Sequence, residues 1–222
     1  MLVVHDTKGG ILFDLKNQKR LNAYPFEKGV SSVQLFNQER YLLLQGRGVG
    51  DIWDLTTGER VYFWQDPDAN LEITAVSKSG QYIFTGQYLR RFDNHELILR
   101  DPGKYHHVPT AAAISADEAL LATGGTWDDN VVLWNINTGQ QLDLWWWPEH
   151  HIRALAFSAD NRYLYISSYT ELVVYEMATK TKVFQLSYPY SWWGGRYLET
   201  REAILVVSNS GEIRLLKAAK KA

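Results

Sequence analysis

One short word recurs six times along the chain, and its regular spacing constrains the fold more than any other feature. The word is an apolar residue, an aromatic or apolar residue, and in most copies an acid or amide: Leu12-Phe13-Asp14, Ile52-Trp53-Asp54, Arg91-Phe92-Asp93, Leu133-Trp134-Asn135, Val174-Tyr175-Glu176 and Leu215-Leu216-Lys217. Its central residues are 40, 39, 42, 41 and 41 residues apart. A period near forty residues with short β segments is typical of propeller blades, so one structural unit is predicted to repeat along the whole chain.

The composition is that of a globular chain with many aromatic residues. Of the 222 residues, 45% are hydrophobic and 22% are charged, while 14% are aromatic and nine are tryptophan. Large aromatic side chains suit a β protein in which sheets pack face to face. Because the repeat runs through the chain, residues 1–222 are predicted to form one domain.

The charge and the residue types exclude several partners and several kinds of chemistry. The formal net charge is -2, which gives no basic field for nucleic acid, and the lack of cysteine excludes disulfides and thiolate chemistry. No apolar run is long enough for a membrane span, and residues 1–6 do not resemble a secretory signal. We therefore expect a monomeric cytoplasmic protein; a signal encoded upstream of Met1 would change the expected compartment.

Four short β segments are predicted within each period. Apolar segments that could form a first, inner strand end at five regularly spaced residues: Phe36, Val76, Ile114, Phe157 and Leu198. The second strand is continuously apolar, as in Tyr163-Leu164-Tyr165-Ile166, which indicates that both of its faces are covered. The third strand carries the word, and the fourth alternates polar and apolar residues, as in Lys182-Val183-Phe184-Gln185, which is typical of an exposed edge.

This four-strand unit resembles the blade of the WD-repeat β-propeller family. The resemblance rests on the Trp53-Asp54 dipeptide, on Thr-Gly turns such as Thr138-Gly139 after the third strand, and on Ser-x-Asp turns before the second strand. It covers essentially the whole chain and implies an all-β propeller built from four-stranded antiparallel blades.

The resemblance also implies a buried network of His, Ser or Thr, Asp and Trp within a blade. The full set is present in the fourth repeat: His107, Thr123, Asp128 and Trp134. The fifth repeat offers a partial set without a clear Asp: His151, Ser167 and Tyr175. Buried Trp and His N–H groups need hydrogen-bond acceptors, which is the physical reason for such a network.

The predicted strands fall into six blades, of which four are complete. Their approximate boundaries are residues 1–25, 31–65, 71–101, 110–147, 152–188 and 194–218. The first blade lacks its inner strand and the last lacks its outer strand, so the two ends do not complement each other. We therefore expect the chain to be the C-terminal part of a seven-bladed ring that lacks roughly 60 N-terminal residues on the observed repeat length. A six-bladed ring with two defective blades is the alternative.

The loops carry the candidate binding residues. Loops that lead into the inner strands are rich in aromatic residues, His and Pro, and the hairpins between second and third strands add further aromatic residues and one Arg. Six residues of these loops are predicted to contact a partner: Arg47, Tyr88, Trp127, Tyr169, Trp192 and Trp193. Packing is an equal alternative for Trp127, Trp192 and Trp193, and packing between blades is favoured for residues 145–147. The His pairs at 106–107 and 150–151 have no convergent third ligand, so neither a metal nor another cofactor is predicted.

These patterns predict a non-catalytic scaffold that binds a protein or peptide on the loop face around a central channel. A quinoprotein-like propeller enzyme is one alternative, because Thr57-Gly58 followed by Trp64 resembles the docking repeat of that family. The gap of six residues from Gly58 to Trp64 and the failure of this pattern to recur in every repeat argue against it. A propeller that binds a small molecule or glycan through stacked aromatic rings is a second alternative.

Overall fold

The computed structural model describes most of the chain and contains β structure throughout. It describes residues 2–6, 8–26, 29–46, 48–65, 73–101, 109–125, 130–146, 151–168, 170–187, 192–198, 203–208 and 213–217. Within these ranges there are 22 strands and no helix. The predicted all-β class is confirmed.

The strands follow one another in a regular alternation with short turns. In the first three repeats they are β1 (Leu2–Asp6), β2 (Gly9–Asp14), β3 (Lys19–Pro25), β4 (Ser32–Phe36), β5 (Tyr41–Gly46), β6 (Val49–Asp54), β7 (Glu59–Gln65), β8 (Ile73–Val76), β9 (Tyr82–Thr85), β10 (Tyr88–Arg91) and β11 (Leu97–Arg100). In the last three they are β12 (Ala111–Ile114), β13 (Leu120–Gly124), β14 (Asn130–Asn135), β15 (Gln141–Trp146), β16 (Ile152–Phe157), β17 (Tyr163–Ser168), β18 (Glu171–Glu176), β19 (Thr181–Ser187), β20 (Trp192–Leu198), β21 (Ala203–Ser208) and β22 (Ile213–Lys217).

Each sheet is formed by strands that are consecutive in the sequence. The described strands form four sheets of four strands and two sheets of three, the three-stranded ones being β1-β2-β3 and β20-β21-β22. Paired strands run antiparallel, as short hairpin connections require. The predicted four-stranded antiparallel unit is therefore confirmed, while the seven-bladed ring and the blade boundaries stay predictions.

The chain divides into two compact units, Met1–Gly86 and Gln87–Ala222. In the first unit, β1 lies beside β4, the first strand of the next sheet. The core of this unit is an apolar cluster of buried side chains: Leu12, Tyr24, Phe26, Leu42, Leu44 and Val49. Leu42 and Leu44 lie on one face of β5 and Leu43 lies on the other, and all three are buried. Both faces of this second strand are therefore covered, as its continuous apolar run predicts.

The second unit repeats the same arrangement of sheets. The inner strands β12, β16 and β20 lie side by side in chain order, and β13 and β17 each lie beside the inner strand of the following sheet. Because β1 stands to β4 as β13 stands to β16, β1 occupies the place of a second strand, as predicted from the sequence. The core of this unit includes Leu133, Ile152 and Phe157.

The fourth strand of a sheet is its exposed edge, and each contains one extra residue. In β7 and β19 almost every side chain is exposed or half-buried, as the alternating pattern predicts. In the pairing between third and fourth strands, one residue of the fourth strand has no partner. The shift always falls between the first and second residues of the word, for example between Ile52 and Trp53 and between Leu133 and Trp134. This bulge marks the position of the word in the structure.

The bulge shows that the third copy of the word was placed wrongly. In β10 the register shifts between Leu89 and Arg90, and the N–H of His95 donates to the carbonyl of Arg91 as that of Gly139 does to Asn135. The word therefore falls on residues 89–91, two residues before the predicted copy. The aromatic and acidic letters at 92–93, which suggested the alignment, lie in the turn after the strand. The sequence misled because residues 90 and 91 are both Arg.

Candidate interaction site

The acid of the word in the second repeat is part of a turn. Asp54 ends β6, and its side chain is nearly fully buried. Its Oδ1 accepts hydrogen bonds from the backbone N–H and hydroxyl of Thr56 at 2.8 and 2.6 Å, and its Oδ2 accepts two from the guanidinium of Arg40 at 3.0 and 2.8 Å. The hydroxyl of Thr56 and the guanidinium lower the pKa of Asp54 to about 2. This carboxylate is held in its ionised form by structure and is committed to the turn.

The residue at the third position of the word binds to its turn or to a nearby Arg in other repeats as well. Asn135 Oδ1 accepts the backbone N–H of Thr138 at 3.0 Å, and Asp14 Oδ1 accepts that of Lys16 at 2.9 Å. Glu176 lies 3.7 Å from a nitrogen of Arg162, which precedes the second strand as Arg40 does. The polar letter of the word is therefore a turn-closing residue, which follows from the ability of short polar side chains to bond to nearby backbone.

The Ser-x-Asp turns before the second strands engage a second set of carboxylates. Ser115 Oγ donates to Asp117 Oδ1 at 2.6 Å and accepts the backbone N–H of Leu120 at 2.9 Å. Ser158 makes the same bond to Asp160 at 2.6 Å. In both cases the serine hydroxyl is the main cause of a lowered pKa of the carboxyl. These acids stabilise turns, and nothing in their surroundings prepares them to accept a proton from a substrate.

The fourth repeat contains a buried hydrogen-bonded chain that runs from the word to the loop before the inner strand. Trp134 Nε1 donates to Thr123 Oγ1 at 3.0 Å, and Thr123 Oγ1 donates to Asp101 Oδ2 at 2.6 Å. All three side chains are buried. The register places Thr123 two residues beyond Leu121, the direct partner of Trp134, so both side chains lie on one face.

Two of the four predicted network residues in this repeat are thus brought together, and a third group was not predicted. His107 and Asp128 lie outside the described residues. Asp101 directly follows β11, in the same loop in which His107 was expected to supply a partner. The sequence did not predict it because the expected carboxyl was that of Asp128, in the hairpin after the second strand, whereas this carboxyl comes from the end of the preceding sheet.

In the second repeat the equivalent tryptophan has different neighbours. The register pairs Leu42 with Trp53, so Leu44 takes the place that Thr123 has beside Trp134. Among the described residues no group bonds to the buried Nε1 of Trp53. Its indole instead packs against the ring of Tyr24, with the ring centres 5.5 Å apart. This contact joins the end of β3 to the third strand of the next sheet.

The fifth repeat also uses an aromatic contact. Tyr175 stacks on Trp145 of the preceding sheet, with ring centres 5.5 Å apart, so Trp145 packs between sheets as favoured from the sequence. Ser167 pairs with Leu172, three residues from the pairing of Leu164 with Tyr175, and therefore lies on the opposite face of the sheet from Tyr175. The predicted serine-to-tyrosine link is not formed in this register.

Burial and a nearby carboxylate define the environment of this tyrosine. Burial is the main cause of the raised pKa of Tyr175, and the charge of Glu171 adds to it. Glu171 is buried and accepts a hydrogen bond from the side chain of Gln185. His151 precedes β16 and is half-buried, and its predicted role opposite Tyr175 stays a prediction.

Tyr88 is the predicted partner-binding residue whose surroundings are best described. It is half-buried at the start of β10 and pairs directly with Arg100 of β11. The guanidinium carbons of Arg90 and Arg100 lie 5.3 and 5.7 Å from the centre of its ring. Both distances are within the range of a cation–π contact, so one aromatic ring holds two cationic groups. Neither Arg was singled out from the sequence, because the word was misaligned in this repeat.

The other five predicted partner contacts fall into two groups. Arg47, Trp127 and Tyr169 lie outside the described residues. Trp192 and Trp193 were predicted in the loop before an inner strand, but they are the first two residues of that strand, β20. Their proposed contacts stay predictions, and the placement of Trp192 and Trp193 in an inner strand gives the packing alternative a definite structural setting.

The described residues contain no group of three or more His, Asp or Glu side chains arranged to hold a metal ion. In the same part of the chain there is no helix with the length and apolar character needed to cross a bilayer.

Comparisons with known proteins agree with the observed fold. The family model described as WD domain, G-beta repeat matches residues 102–135, which include the word at 133–135. A chain in a structure named "Crystal Structure of Mitotic Checkpoint Complex" is similar in fold, with a TM-score of 0.83, 14% sequence identity, and coverage of 96% of this chain and 69% of that one. No curated protein matches the sequence significantly. Residues 102–135 therefore match one WD repeat, and the chain shares the fold of that structural neighbour.

Proposed function

We propose that this protein is a non-catalytic scaffold that binds a protein or peptide through the loops at one end of its strands. These loops lead into the inner strands and connect the second strands to the third. The proposed scaffold acts in the cytoplasm as a monomer.

The observation that carries this proposal is how the described repeats use their polar groups. The carboxylates of Asp54, Asp117 and Asp160 are each bound by hydroxyl groups within their own turns. Thr123 bonds to Trp134 within its own sheet and to Asp101 at the end of the preceding sheet. Groups that could carry acid–base chemistry are thereby used to hold the fold. A scaffold needs such a rigid frame, and the variable loops then determine what is bound.

The comparisons support a binding role without naming a partner. Repeat folds of this kind act mainly through the surface that the repeats build. The structural neighbour is part of a complex, which is compatible with use of this fold for protein assembly. The residues proposed to bind its partner are those predicted from the sequence. The first to test are Arg47, which lies between β5 and β6 in the sequence, and Trp193, near the start of β20 and next to the loop that leads into it.

The test is affinity capture followed by measurement with the purified partner. The immobilised chain is exposed to a cell extract, retained proteins are identified by mass spectrometry, and the strongest candidate is purified for titration. We expect Arg47→Ala and Trp193→Ala to weaken its binding by at least about tenfold each, since Arg and Trp are frequent hot spots. Neither substitution should change the melting temperature by more than the control.

Arg20→Ala is a matched control for Arg47→Ala. Arg20 is an exposed arginine at the start of β3, on the side of the turn that follows the third strand. The substitution Arg20→Ala removes the same charge from the same compact unit, but at the opposite end of the strands from the proposed face. Retention of the partner by both predicted variants at parental affinity would reject the proposed face, and failure to retain any specific protein would reject the scaffold itself.

A further inference from the structure

The third repeat carries arginine where other repeats carry the packing and turn-closing residues of the word. The register puts Arg90 at the position of Trp53 and Trp134, and Arg91 at the position of Asp54 and Asn135. An aromatic residue at the first position packs against a neighbouring sheet, and an acid or amide at the second closes the turn. Arg at both positions leaves the hairpin of β10 and β11 with a chemistry that packing alone does not require.

Four side chains share one face of this hairpin. Tyr88 is paired with Arg100, Arg90 is paired with Leu97, and Tyr88 and Arg90 are two residues apart on one strand. The opposite face holds Leu89 and Leu99, which are buried. Leu97 is 48% exposed and Arg100 is exposed, so the first face is open at its outer edge. We call Tyr88, Arg90, Leu97 and Arg100 the arginine clasp.

The two guanidinium groups of the clasp have no acidic partner among the described residues. Arg90 donates to the backbone carbonyl of His95 at 3.3 Å and contacts the Tyr88 ring, and Arg100 contacts the same ring. In contrast, the neighbouring Arg91 is paired with Asp93 at 3.3 Å, and Arg40 with Asp54 at 2.8 Å. The clasp therefore presents two positive charges that no carboxylate among the described residues neutralises.

We propose that the arginine clasp binds an acidic segment of a partner protein, in which carboxylate side chains flank an apolar one. This inference rests on the proposed scaffold function and deepens it by naming the chemistry of the partner. Each guanidinium can form paired hydrogen bonds with a carboxylate, and the planar Arg fork suits that geometry. The Tyr88 ring orders both groups in advance, which reduces the entropy lost on binding. Leu97 provides the apolar contact beside them.

The observations favour a peptide over a nucleic acid. The clasp offers two unneutralised charges on a chain whose net charge is -2, whereas nucleic-acid binding depends on neutralising many phosphates. A hairpin edge with one exposed leucine between basic groups matches the alternating side chains of an extended peptide. Other arginines of this chain already bind carboxylates within the fold, as the pairs Arg91–Asp93 and Arg40–Asp54 show.

The test is a titration followed by fluorescence anisotropy with labelled peptides of fixed sequence. The probe is a fluorescein-labelled peptide of six glutamates with one central leucine, and the controls are the same peptide with glutamine or lysine in place of glutamate. We expect saturable binding of the glutamate peptide alone, weakened by salt because charge attraction drives it. The double variant Arg90→Gln with Arg100→Gln should weaken binding by at least about tenfold, from roughly three- to fivefold per arginine.

Further variants separate charge from structure. Arg20→Gln removes one exposed arginine elsewhere and should leave binding unchanged. Arg90→Lys with Arg100→Lys keeps the charge but loses the planar fork, and we expect affinity between that of the parent and the glutamine variant. Tyr88→Leu should weaken binding by about threefold through lost ordering of the arginines, while the slope of affinity against salt stays that of the parent because no charge is removed.

The site is located by a photoreactive group placed on the central leucine of the probe. Crosslinks within residues 88–100 are expected, and crosslinks confined to other segments would overturn the proposal. The proposal would also be overturned if the double variant bound the glutamate peptide with parental affinity, or if the glutamine peptide bound equally well. Binding of only a phosphoserine version of the peptide, or of a single-stranded oligonucleotide but no peptide, would overturn it as well. If the captured partner is still retained when the acidic peptide fails, the clasp is rejected and the scaffold stands; if no partner is captured either, both fail.

Discussion

Trp53 and Trp134 occupy the same position in two repeats, but their indole rings have different neighbours. Each lies just after the bulge between third and fourth strands. The indole N–H of Trp134 is bonded through Thr123 to Asp101, while that of Trp53 has no partner among the described residues and its ring packs on Tyr24. The position is preserved as a packing site, and its polar group is satisfied in one repeat only.

In these two repeats a large flat side chain is kept at this position whether or not its N–H is bonded to a described residue. A buried N–H without an acceptor costs free energy, but burial of an indole contributes more than this cost. In the fifth repeat Tyr175 at the same position stacks on Trp145, while Ser167 lies on the opposite face of the sheet. The network in the fourth repeat is an added source of stability, and the segment of that repeat is also the one that matches the WD-repeat model.

The largest effect is expected from replacing Thr123, the side chain that distinguishes the surroundings of Trp134 from those of Trp53. Thr123→Val keeps the shape but leaves the buried indole N–H without its acceptor and removes the bond to Asp101, so we expect a loss of about 3 kcal/mol in the free energy of unfolding. Leu44→Val, at the equivalent place in the second repeat, removes one methylene and should cost about 1 kcal/mol. Urea denaturation followed by Trp fluorescence measures both, and equal losses would mean that the chain of hydrogen bonds adds no stability.

A second test removes only the indole N–H. Trp134→Phe loses the bond to Thr123 as well as ring area, and we expect it to cost about 2 kcal/mol. Trp53→Phe loses similar area but also removes an unpaired buried donor, so its cost should be smaller by about 1 kcal/mol. Calorimetric melting of the two variants gives the difference directly. A larger cost at Trp53 would show that its N–H has an unrecognised partner.

Much of the fold could be predicted because the repeat is written in features that act locally. Continuous apolar runs predicted second strands such as β17, and Thr-Gly turns predicted the ends of third strands, since both depend on neighbouring residues and backbone preference. The exception was the third repeat, in which Arg90 and Arg91 hid the word and Phe92-Asp93 imitated it. The position of the word in the third repeat became clear only from the pairing of β10 with β11, which cannot be read from the sequence.

The candidate site was less predictable because its contacts join residues that are distant in sequence. Thr123 and Trp134 could be paired from the repeat, but the bond from Thr123 to Asp101 spans two sheets and follows no recurrent spacing. Ser167 was one residue away from the required face, an error that the period of two in a strand converts into the opposite side of a sheet. The clasp arose from the pairing of Tyr88 with Arg100, which only the structure revealed.

The third test concerns the letter after the tryptophan and is read from its pH dependence. The folded pKa of Asp54, about 2, is below its ordinary value of 3.8, so its ionised form adds stability that is fully present above about pH 4 and is lost as the pH falls through 2. Asp54→Asn should cost about 1 kcal/mol at neutral pH and should converge with the parent in acid.

The fourth repeat provides the control for this charge. The carbonyl of Ala119 accepts the backbone N–H of Ile136 as that of Arg40 accepts the N–H of Leu55, so an alanine stands where the partner of Asp54 stands. Asn135→Asp therefore introduces an acid that lacks both the facing guanidinium and the hydroxyl of Thr56, the larger cause of the lowered pKa of Asp54, because Asn137 stands in that place. We expect a smaller gain of stability between acid and neutral pH. Denaturant midpoints across this range measure both variants, and parallel pH profiles for the parent and Asp54→Asn would contradict the assignment.

The smallest expected effects come from the glycines that end the two turns. Gly58 and Gly139 have φ angles of 75° and 68°, a region that other residues enter at a cost of about 1 kcal/mol. A Cβ on Gly58 would meet nothing within 4 Å, whereas one on Gly139 would lie 3.3 Å from the carbonyl oxygen of Ile98. Gly58→Ala should therefore cost the backbone strain alone, and Gly139→Ala a few tenths of a kcal/mol more because β11 packs beside it. If thermal melting ranks Gly58→Ala as the more harmful change, the two turns differ in a way that backbone angle and contact do not explain, and the tighter packing assigned to the fourth repeat would be incorrect.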